Sequence, residues 1–314
     1  MNKDVYLLTG ATGFVGANIA RRLAHDKKNV HVLSRKKNLN WRLSDVKSKI
    51  KIHEVDLLSP NLHRVITKIK PDYIFHLTTH GSLPNEDSLD ELIKVNFKGT
   101  VNLIDALKKN PFKLFINTGS SSEYGVKFDK MSETDPALPI NDYGVVKTAV
   151  TLYVQKEAIV NNLPMITFRL FSAYGPYEHN SRFISSIVRA AIKNEPIIVG
   201  SKKNVRDFIY IEDVVDAYLN ACKKKVAPGE IFNIGTGKQS TIEETTEKII
   251  HLSKSESKII WGKVLAQKRQ IEKGKWQADI RKSKKMLKWK AKYSLDDGLL
   301  KTISWFRTNN NLYE

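Results

Sequence analysis

Runs of apolar residues alternate with segments of helical periodicity through the first half of the chain. The apolar runs lie at residues 5–8, 30–33, 50–55, 72–77, 113–117 and 165–170. Between them, segments 14–25, 92–109 and 143–160 carry apolar residues at the three- and four-residue spacing of a helix. Strands that alternate with helices in this order are typical of βαβ units. We therefore predict an α/β fold built on a parallel sheet.

The pattern changes after about residue 172. Helical segments at 182–194, 212–224 and 242–254 are separated there by short strand-like runs and by loops that contain glycine and proline. This change indicates a smaller C-terminal α/β domain that lies over the strand ends. We predict that the first domain comprises residues 1–171 with about 207–234, and that the second comprises about 172–206 with 235–314.

The composition is that of an ordinary globular protein, with 41% hydrophobic and 27% charged residues among 314. The apolar runs fall well short of the roughly 20 residues that span a bilayer. The N-terminus enters a strand-like run without the core of a signal peptide. The single cysteine, Cys222, excludes an intrachain disulfide and fits a reducing compartment. We therefore expect a cytoplasmic protein that does not enter a membrane.

The formal net charge of +19 raises the question of nucleic-acid binding. The positive residues are spread thinly, mostly as lysines in segments such as 108–110 and 280–290. The sequence has neither zinc-finger spacing nor an aromatic RNA-binding stretch. We expect the charge to attract a small polyanionic ligand, such as a dinucleotide or a nucleotide-sugar. We predict neither a nucleic-acid site nor a metal site.

Three glycines follow the first predicted strand and open the first predicted helix. Gly10, Gly13 and Gly16 are spaced G-x-x-G-x-x-G in the sequence LLTGATGFVG. Glycines at such a turn let backbone N–H groups approach a pyrophosphate at the positive end of a helix. The position of this turn in the first βα unit predicts a dinucleotide site.

The end of the second predicted strand bears on the choice of dinucleotide. An acidic residue there binds the ribose hydroxyls of NAD, but this chain has Ser34 and Arg35, followed by two lysines. A hydroxyl and a guanidinium can bind the 2′-phosphate of NADP. We therefore favour NADP(H), while NAD(H) stays possible if these residues form a solvated basic loop. Asp56, after the third strand, is placed to contact the adenine.

A tyrosine and a lysine four residues apart follow the sequence TGSSSEYG at residues 118–125. Tyr143 and Lys147 share one face if segment 143–160 is helical. A lysine ammonium beside the phenol favours loss of the phenolic proton, so the tyrosine can exchange a proton with a sugar hydroxyl or carbonyl. A serine hydroxyl at the preceding strand end can bind the same oxygen. These residues predict a reaction in which a bound cofactor carries the hydride.

The order of these motifs resembles that of the extended short-chain dehydrogenase/reductases, the NAD-dependent epimerase/dehydratase family. The motifs are TGATGFVG, PDYIFHLTTHGS, VNFKGTVNLIDA, TGSSSEYG, DYGVVKTA, FRLFSAYGPYE, RDFIYIEDVVDAYL and a C-terminal W-x-A-D. The resemblance implies a Rossmann-type, doubly wound parallel sheet that binds a dinucleotide, with a second domain that binds a nucleotide-sugar. It also implies catalysis by Ser120, Tyr143 and Lys147, and a homodimer.

The resemblance further assigns cofactor and substrate contacts. The expected cofactor-binding residues are Gly10, Thr12, Gly13, Phe14, Val15, Gly16, Ser34, Arg35, Asp56, Leu57, Leu77, Thr78, Asn96, Tyr143 and Lys147. The expected substrate-binding residues are Ser121, Ser122, Ser172, Arg182, Arg206 and Arg269. Arg206 and Arg269 match arginines that the family uses on the diphosphate, which guanidinium groups bind well. Ser172 stands where relatives commonly have asparagine.

Within the family, the strand-end motif separates the reactions. The 4,6-dehydratases resemble T-D-E-x-Y-G, with an aspartate and a glutamate as acid and base, whereas this chain has Ser121 and Ser122 at those positions. Glu123 is displaced by one residue and is expected to point elsewhere. Our interpretation is an NADPH-dependent reductase that acts at C4 of a CDP- or GDP-linked 4-keto-deoxyhexose. The alternatives are an NAD-dependent 4-epimerase or C4 dehydrogenase, then a 4,6-dehydratase, and finally a non-catalytic binding protein.

Overall fold

Seven parallel strands form the central sheet in the computed structural model, which describes residues 4–35, 41–81, 88–262 and 274–313. The strands in these ranges are β1 (Val5–Thr9), β2 (Asn29–Ser34), β3 (Lys51–Glu54), β4 (Tyr73–His76), β5 (Leu114–Ser120), β6 (Met165–Leu170), β7 (Ser172–Tyr174), β8 (Ile197–Val199), β9 (Val205–Arg206), β10 (Phe208–Tyr210), β11 (Ile231–Ile234), β12 (Ser240–Thr241) and β13 (Ile259–Trp261). The α-helices are α1 (Phe14–His25), α2 (Leu62–Ile69), α3 (Leu89–Leu92), α4 (Gly99–Leu107), α5 (Asp142–Val160), α6 (Phe183–Ile192), α7 (Ile211–Ala221), α8 (Ile242–Ser253) and α9 (Leu295–Asn309).

The central sheet has the strand order β11-β6-β5-β4-β1-β2-β3, and every neighbouring pair is parallel. The chain winds outward in both directions from β1 and β4, so the strand order reverses between these two strands. A crevice opens at such a point, beyond the carboxyl ends of the strands. The predicted α/β fold, a doubly wound parallel sheet of the Rossmann type, is confirmed.

Both faces of the sheet are packed against apolar side chains. In β1, Leu7 belongs to one core cluster, while Tyr6 and Leu8 belong to the other. In β5, Phe115 and Ile116 likewise lie in opposite clusters. Strands buried on both faces have continuous apolar runs, which is why the sequence shows runs rather than strict alternation.

Two boundaries differ from the prediction. β5 continues through Ser120, because residues 118–120 keep pairing with β6. The helix predicted over 92–109 begins earlier, at Leu89, and contains a π-helical turn at Ile93–Lys98 between α3 and α4. The extension of β5 makes Ser120 the last residue of the strand, and the other two serines of the TGSSSEYG motif open a short helical turn, Ser121–Tyr124.

The chain beyond β6 builds smaller sheets. β7 pairs with β10, β9 with β12 and β8 with β13. β11 instead returns to the central sheet beside β6. The two-domain division stays a prediction, and the return of β11 is the feature that favours placing residues 207–234 in the first domain.

Several apolar side chains on the helices beside the sheet are exposed. They are Leu89, Ile93, Val145 and Leu152. Exposed apolar surface of this kind favours association, although the homodimer stays a prediction. Within the described ranges, no helix is both long enough and apolar enough to cross a membrane.

A buried aspartate holds two C-terminal segments beside β9. Asp207 accepts hydrogen bonds from the N–H groups of Thr236 at 2.8 Å, Gly237 at 2.9 Å and Ala278 at 3.1 Å. The Thr236 hydroxyl adds a fourth bond at 2.6 Å. Burial raises the pKa of Asp207, and these donors oppose the rise. The carboxylate therefore anchors both segments next to Arg206.

Replacing Asp207 by asparagine is expected to destabilise the fold by roughly 2–3 kcal/mol, because an amide nitrogen would face donors that need an acceptor. Urea unfolding measures this change. Asp216→Asn is the matched control, since its ion pairs with Arg22 and Lys292 lie at the surface, where such pairs contribute at most about 1 kcal/mol. Equal destabilisation by the two substitutions would contradict the anchoring role of Asp207.

Candidate functional site

The glycine turn after β1 packs tightly against the loop that follows β4. Gly10 has a φ of +66°, and a Cβ atom on it would lie 2.5 Å from the Thr78 nitrogen. The Gly13 N–H donates to the Gly10 carbonyl at 3.0 Å. A side chain on Gly16 would collide with that same carbonyl. The fold therefore requires glycine at the first and last of the three positions.

Helix α1 begins directly after this turn, and its N-terminus has no side-chain cap. Its first N–H groups and its positive end can therefore bind a phosphate group. Thr12, Phe14 and Val15, which are also expected at the cofactor, lie in the turn and at the start of the helix. This cradle of backbone N–H groups fits the pyrophosphate of a dinucleotide such as NAD.

The loop after β4 is held from two sides. The Leu77 N–H donates to the Thr9 carbonyl at 3.2 Å. The Thr78 N–H donates to the Thr9 hydroxyl at 3.4 Å. Asn96, buried in the π-helical turn, accepts the His80 N–H at 2.8 Å and donates to the His80 carbonyl at 3.1 Å. The structure thus commits the Asn96 amide to the backbone of this loop, and its contact with the cofactor stays a prediction.

A neutral histidine lies beside this loop. The ring nitrogens of the buried His76 lie 2.7 Å from the Thr9 hydroxyl and 2.8 Å from the Thr100 hydroxyl. Burial lowers the pKa of His76 to about 3, and the nearby Lys147 ammonium adds to this effect. Because the ring stays neutral, it adds no second positive charge beside Lys147.

The residues expected on the adenosine side follow β2 and β3. Ser34 is partly buried and Arg35 is exposed, while the two lysines that follow lie outside the described residues. Asp56 Oδ1 accepts the Leu58 N–H at 2.7 Å, and Leu57 is buried beside it. The Asp56 carboxylate therefore closes the turn after β3, and its contact with adenine stays a prediction.

Helix α5 places the predicted tyrosine and lysine against the end of β5. Lys147 is buried, and its Nζ donates to the Thr118 carbonyl at 2.9 Å. The Tyr143 ring, one turn earlier, is partly buried, and its centroid lies 5.9 Å from Lys147 Nζ. Gly144 permits this approach, since a Cβ atom there would lie 2.6 Å from the Ser122 carbonyl oxygen. The structure thus brings two of the three predicted catalytic residues to the end of the strand that carries the third.

Three consecutive serines lie where β5 ends and a short helical turn, Ser121–Tyr124, begins. Ser120 is the last strand residue, and its Oγ accepts the Ser122 N–H at 3.1 Å. Because this oxygen already accepts a hydrogen bond, its own proton can be donated to a ligand. Ser121 is buried, and Ser122 is partly buried. Glu123 is fully buried and pairs with Arg169 at 2.7 Å, so its carboxylate is enclosed by the protein and is not exposed to a ligand at the strand end, as its displaced position in the motif indicates.

Trp276 connects the serines to the predicted diphosphate site, although its W-x-A-D motif suggested no role. Its indole N–H donates to Ser121 Oγ at 3.2 Å. The guanidinium carbon of Arg206 lies 4.9 Å from its ring centroid. The tryptophan and the serine are 155 residues apart in the chain, so no local pattern could have joined them.

Two of the remaining predicted substrate residues, Ser172 and Arg182, lie in the described part of the chain. Ser172 opens β7, and its N–H donates to the Asp207 carbonyl at 3.0 Å, which puts it beside Arg206. Arg182 directly precedes α6 and is partly buried. Arg269 lies outside the described residues. The structure therefore groups Ser172 with Arg206, and the substrate contacts themselves stay predictions.

Curated proteins match this chain over nearly its whole length. It is 30% identical over 322 residues to the UDP-N-acetyl-alpha-D-glucosaminuronate decarboxylase of Bacillus cytotoxicus, covering 97% of this chain and 98% of the relative. It is 28% identical over 319 residues to the dTDP-D-glucose 4,6-dehydratase of Homo sapiens, covering 96% and 90%. The relatives therefore include more than one reaction on nucleotide-sugars.

Solved structures match the fold closely. The UDP-glucose 4-epimerase of Thermotoga maritima, solved with UDP-glucose, gives a TM-score of 0.89 at 24% identity, covering 98% of this chain and 99% of that one. At this identity the match shows the fold alone. MoeE5, solved with UDP-glucuronic acid and NAD, gives a TM-score of 0.85 at 27% identity, with the same coverage of 98% and 99%.

Gly10→Ala is expected to weaken NAD binding by on the order of 100-fold, because relieving the contact with Thr78 moves the backbone that must approach the pyrophosphate. Titration calorimetry with NAD measures the change. Gly262→Ala is the matched control, since Gly262 also has a positive φ, of +77°, but has open space where a Cβ atom would be. Equal NAD affinity in the two variants would contradict a cofactor site at the glycine turn.

A family model covers most of the elements described above. The model of the NAD dependent epimerase/dehydratase family matches residues 6–235. That span runs from β1 to β11 and includes the glycine turn, the three serines and the Tyr143–Lys147 pair. The chain therefore belongs to the NAD-dependent epimerase/dehydratase family of enzymes that act on nucleotide-sugars.

Proposed function

We propose that this chain is an NAD-dependent 4-epimerase of UDP-linked sugars. The observation that carries the proposal is the end of β5, where Ser120, Tyr143 and Lys147 assemble while Glu123, the one acidic residue of the motif, is withdrawn into a buried ion pair. Elimination of water requires an acid and a base in addition to the redox step, whereas reversible oxidation at C4 requires only one proton-transfer group. MoeE5, solved with UDP-glucuronic acid and NAD, supports the nucleotide and the cofactor.

Each catalytic side chain has one task in this proposal. The Ser120 hydroxyl donates a hydrogen bond to the C4 oxygen of the sugar. The deprotonated Tyr143 oxygen accepts the proton of the C4 hydroxyl as the hydride leaves C4 during oxidation, and the phenol so formed returns that proton to the C4 oxygen during reduction. The buried Lys147 ammonium stabilises the negative charge that develops on the Tyr143 oxygen. The chemistry that NAD supplies, when it is bound at the glycine turn, is reversible acceptance of the hydride.

Inversion at C4 requires that the hydride leaves one face of the sugar and returns to the other. The protein must then hold the nucleotide while the sugar changes its orientation. Arg206, which lies over the Trp276 ring, is placed to hold the diphosphate. Ser121 and Ser122 suit a sugar that turns, because a hydroxyl both donates and accepts hydrogen bonds.

A panel of UDP-glucose, UDP-N-acetylglucosamine and UDP-glucuronic acid, each with NAD, tests this function. At least one sugar is expected to equilibrate with its C4 epimer without net formation of NADH, as read by NMR. Tyr143→Phe is expected to lower this turnover by roughly 10²–10⁴-fold, because it removes the proton-transfer group.

Tyr153→Phe is the control for this substitution. Tyr153 lies on the same helix, but its ring packs edge-on against Phe97, so the variant should keep its activity. Turnover that survives Tyr143→Phe, or an elimination product from any of the three sugars, would contradict the proposed function.

Reduction of a CDP- or GDP-linked 4-keto sugar by NADPH is the second candidate, because one observation favours it. β2 ends in Ser34, followed by the exposed Arg35, and residues 34–37 include no acidic side chain for the ribose hydroxyls of NAD. The same three catalytic side chains would serve this reaction in the reducing direction. The complex of MoeE5 with NAD favours NAD as the cofactor, and an epimerase, unlike this reductase, uses NAD.

Arg35→Ala separates the two candidates at the cofactor. For an epimerase, we expect NAD to bind the unsubstituted protein at least as tightly as NADP, and the substitution to change NAD affinity by less than about two-fold. For a reductase, loss of the guanidinium would weaken NADPH binding by about ten-fold or more. The epimerase would be contradicted if calorimetry showed tighter binding of NADPH than of NAD and if one NADPH were oxidised for each 4-keto sugar reduced.

A further inference from the structure

A buried ion pair lies next to the backbone of Ser120. Glu123 is fully buried, and Arg169 on β6 is almost so. Glu123 Oε1 accepts the Ser120 N–H at 2.8 Å, and its Oε2 accepts the Arg169 Nε–H at 2.7 Å. The carboxylate therefore joins the end of β5 to a charge fixed on the neighbouring strand.

Arg169 is held in turn by its own surroundings. In the sheet register it stands opposite Gly119 of β5 and Asn233 of β11. Its guanidinium carbon lies 4.5 Å from the centroid of the Tyr124 ring. The Tyr124 hydroxyl donates to Asn233 Oδ1 at 2.7 Å. The ion pair is thus tied into three adjacent strands and cannot move independently of the sheet.

Gly119 makes room for the carboxylate. A Cβ atom at this position would lie 2.5 Å from Glu123 Oε1 and 3.0 Å from Thr167 Cγ2. Glycine weakens a strand interior, and in such a position it often marks a close approach by another group. The approaching group here is the Glu123 side chain, so the sequence of β5 accommodates the carboxylate at the expense of strand propensity.

The pair is poorly suited to a purely stabilising role. Arg169 Nη1 is buried and has no hydrogen-bond partner in the described parts of the chain. Removing two charges from water offsets much of their mutual attraction, so apolar replacements of a buried pair are often neutral or stabilising. Its location beside the reacting serine is better explained by control of conformation.

We propose that Glu123, held by Arg169, is a positioning residue that fixes the backbone of Ser120 and thereby the direction of the Ser120 hydroxyl. The short helical turn after Ser120 is closed from both sides, because Ser120 Oγ accepts the Ser122 N–H while the carboxylate accepts the Ser120 N–H. Only the catalytic consequence of this positioning rests on the proposed function.

Two double variants separate the hydrogen bond of the carboxylate from its charge. Glu123→Gln with Arg169→Gln removes both charges but keeps an oxygen that can accept the Ser120 N–H. Glu123→Leu with Arg169→Met removes the charges and the acceptor together, and leaves an apolar pair in their place.

The assay measures turnover by both double variants of whichever of UDP-glucose, UDP-N-acetylglucosamine and UDP-glucuronic acid the unsubstituted protein converts. The Gln/Gln variant is expected to keep kcat within about five-fold of the unsubstituted protein, while the Leu/Met variant loses about 100-fold in kcat with little change in KM, because only the placement of the serine is altered. Equal kcat in the two variants would overturn the proposal.

A Ser120→Ala background tests whether the effect passes through the serine. If Glu123 acts only by positioning Ser120, the Ser120→Ala variant that also carries the Leu/Met replacement should have a kcat within about two-fold of that of Ser120→Ala alone. Losses that multiply would show general damage and would overturn the proposal. Phe306→Leu, in the buried face of α9, controls for stability, because it should lower Tm without changing kcat of the folded protein.

Amide hydrogen exchange over residues 117–125 measures the positioning without reference to any reaction. Exchange at Ser120 is expected to be at least about ten-fold faster in the Leu/Met variant and close to normal in the Gln/Gln variant. Unchanged exchange in the Leu/Met variant would overturn the proposal, whatever the enzyme catalyses. If exchange rises as expected but Ser120→Ala leaves turnover intact, the positioning holds and the proposed function fails.

Discussion

The contact between helix α5 and the carboxyl end of β5 is the interaction on which the site depends. The Lys147 ammonium donates to the Thr118 carbonyl, and Gly144 is small enough to meet the Ser122 carbonyl. Together they fix the first turns of a long helix on the strand end, and with them the Tyr143 phenol. In the described ranges no carboxylate pairs with Lys147, so under the proposed function its buried charge acts on the Tyr143 oxygen.

At the end of β5, the charged side chains are buried as an ion pair, whereas the Ser120 hydroxyl can bind a ligand. Glu123 and Arg169 neutralise each other inside the sheet, while Ser120 ends the strand with a hydroxyl that can still donate a proton. His76, which could have added a positive charge nearby, is kept neutral by burial, with a pKa of about 3. Under the proposed function, this distribution serves proton transfer coupled to hydride transfer and provides no carboxylate for elimination at this strand end. Fold-level kinship alone could not have made that distinction.

The parts of the site that depend on local sequence could be predicted, and those that depend on distant contacts could not. The glycine turn and the spacing of Tyr143 and Lys147 are encoded within a few residues, and the predicted α/β fold follows from apolar runs. Trp276 meets Ser121 only through tertiary packing, so its motif carried no sign of the contact. Asn96 is predicted at the cofactor, and the structure adds two hydrogen bonds between its amide and the His80 backbone that the motif does not reveal. A motif specifies which residue stands at a position, but the hydrogen-bond partners of that residue depend on tertiary packing between distant parts of the chain.

The most direct test of the central claim follows a deuterium label at C4 of the sugar. UDP-glucose, UDP-N-acetylglucosamine and UDP-glucuronic acid that carry deuterium at C4 are incubated with the protein and NAD in ordinary water, and the label is located in the products by NMR. We predict that at least one sugar forms its C4 epimer with the deuterium still on C4, because the hydride leaves and returns to the same carbon. Deuterium that moves to another carbon or is lost from the sugar, or the absence of an epimer from all three sugars, would contradict the account.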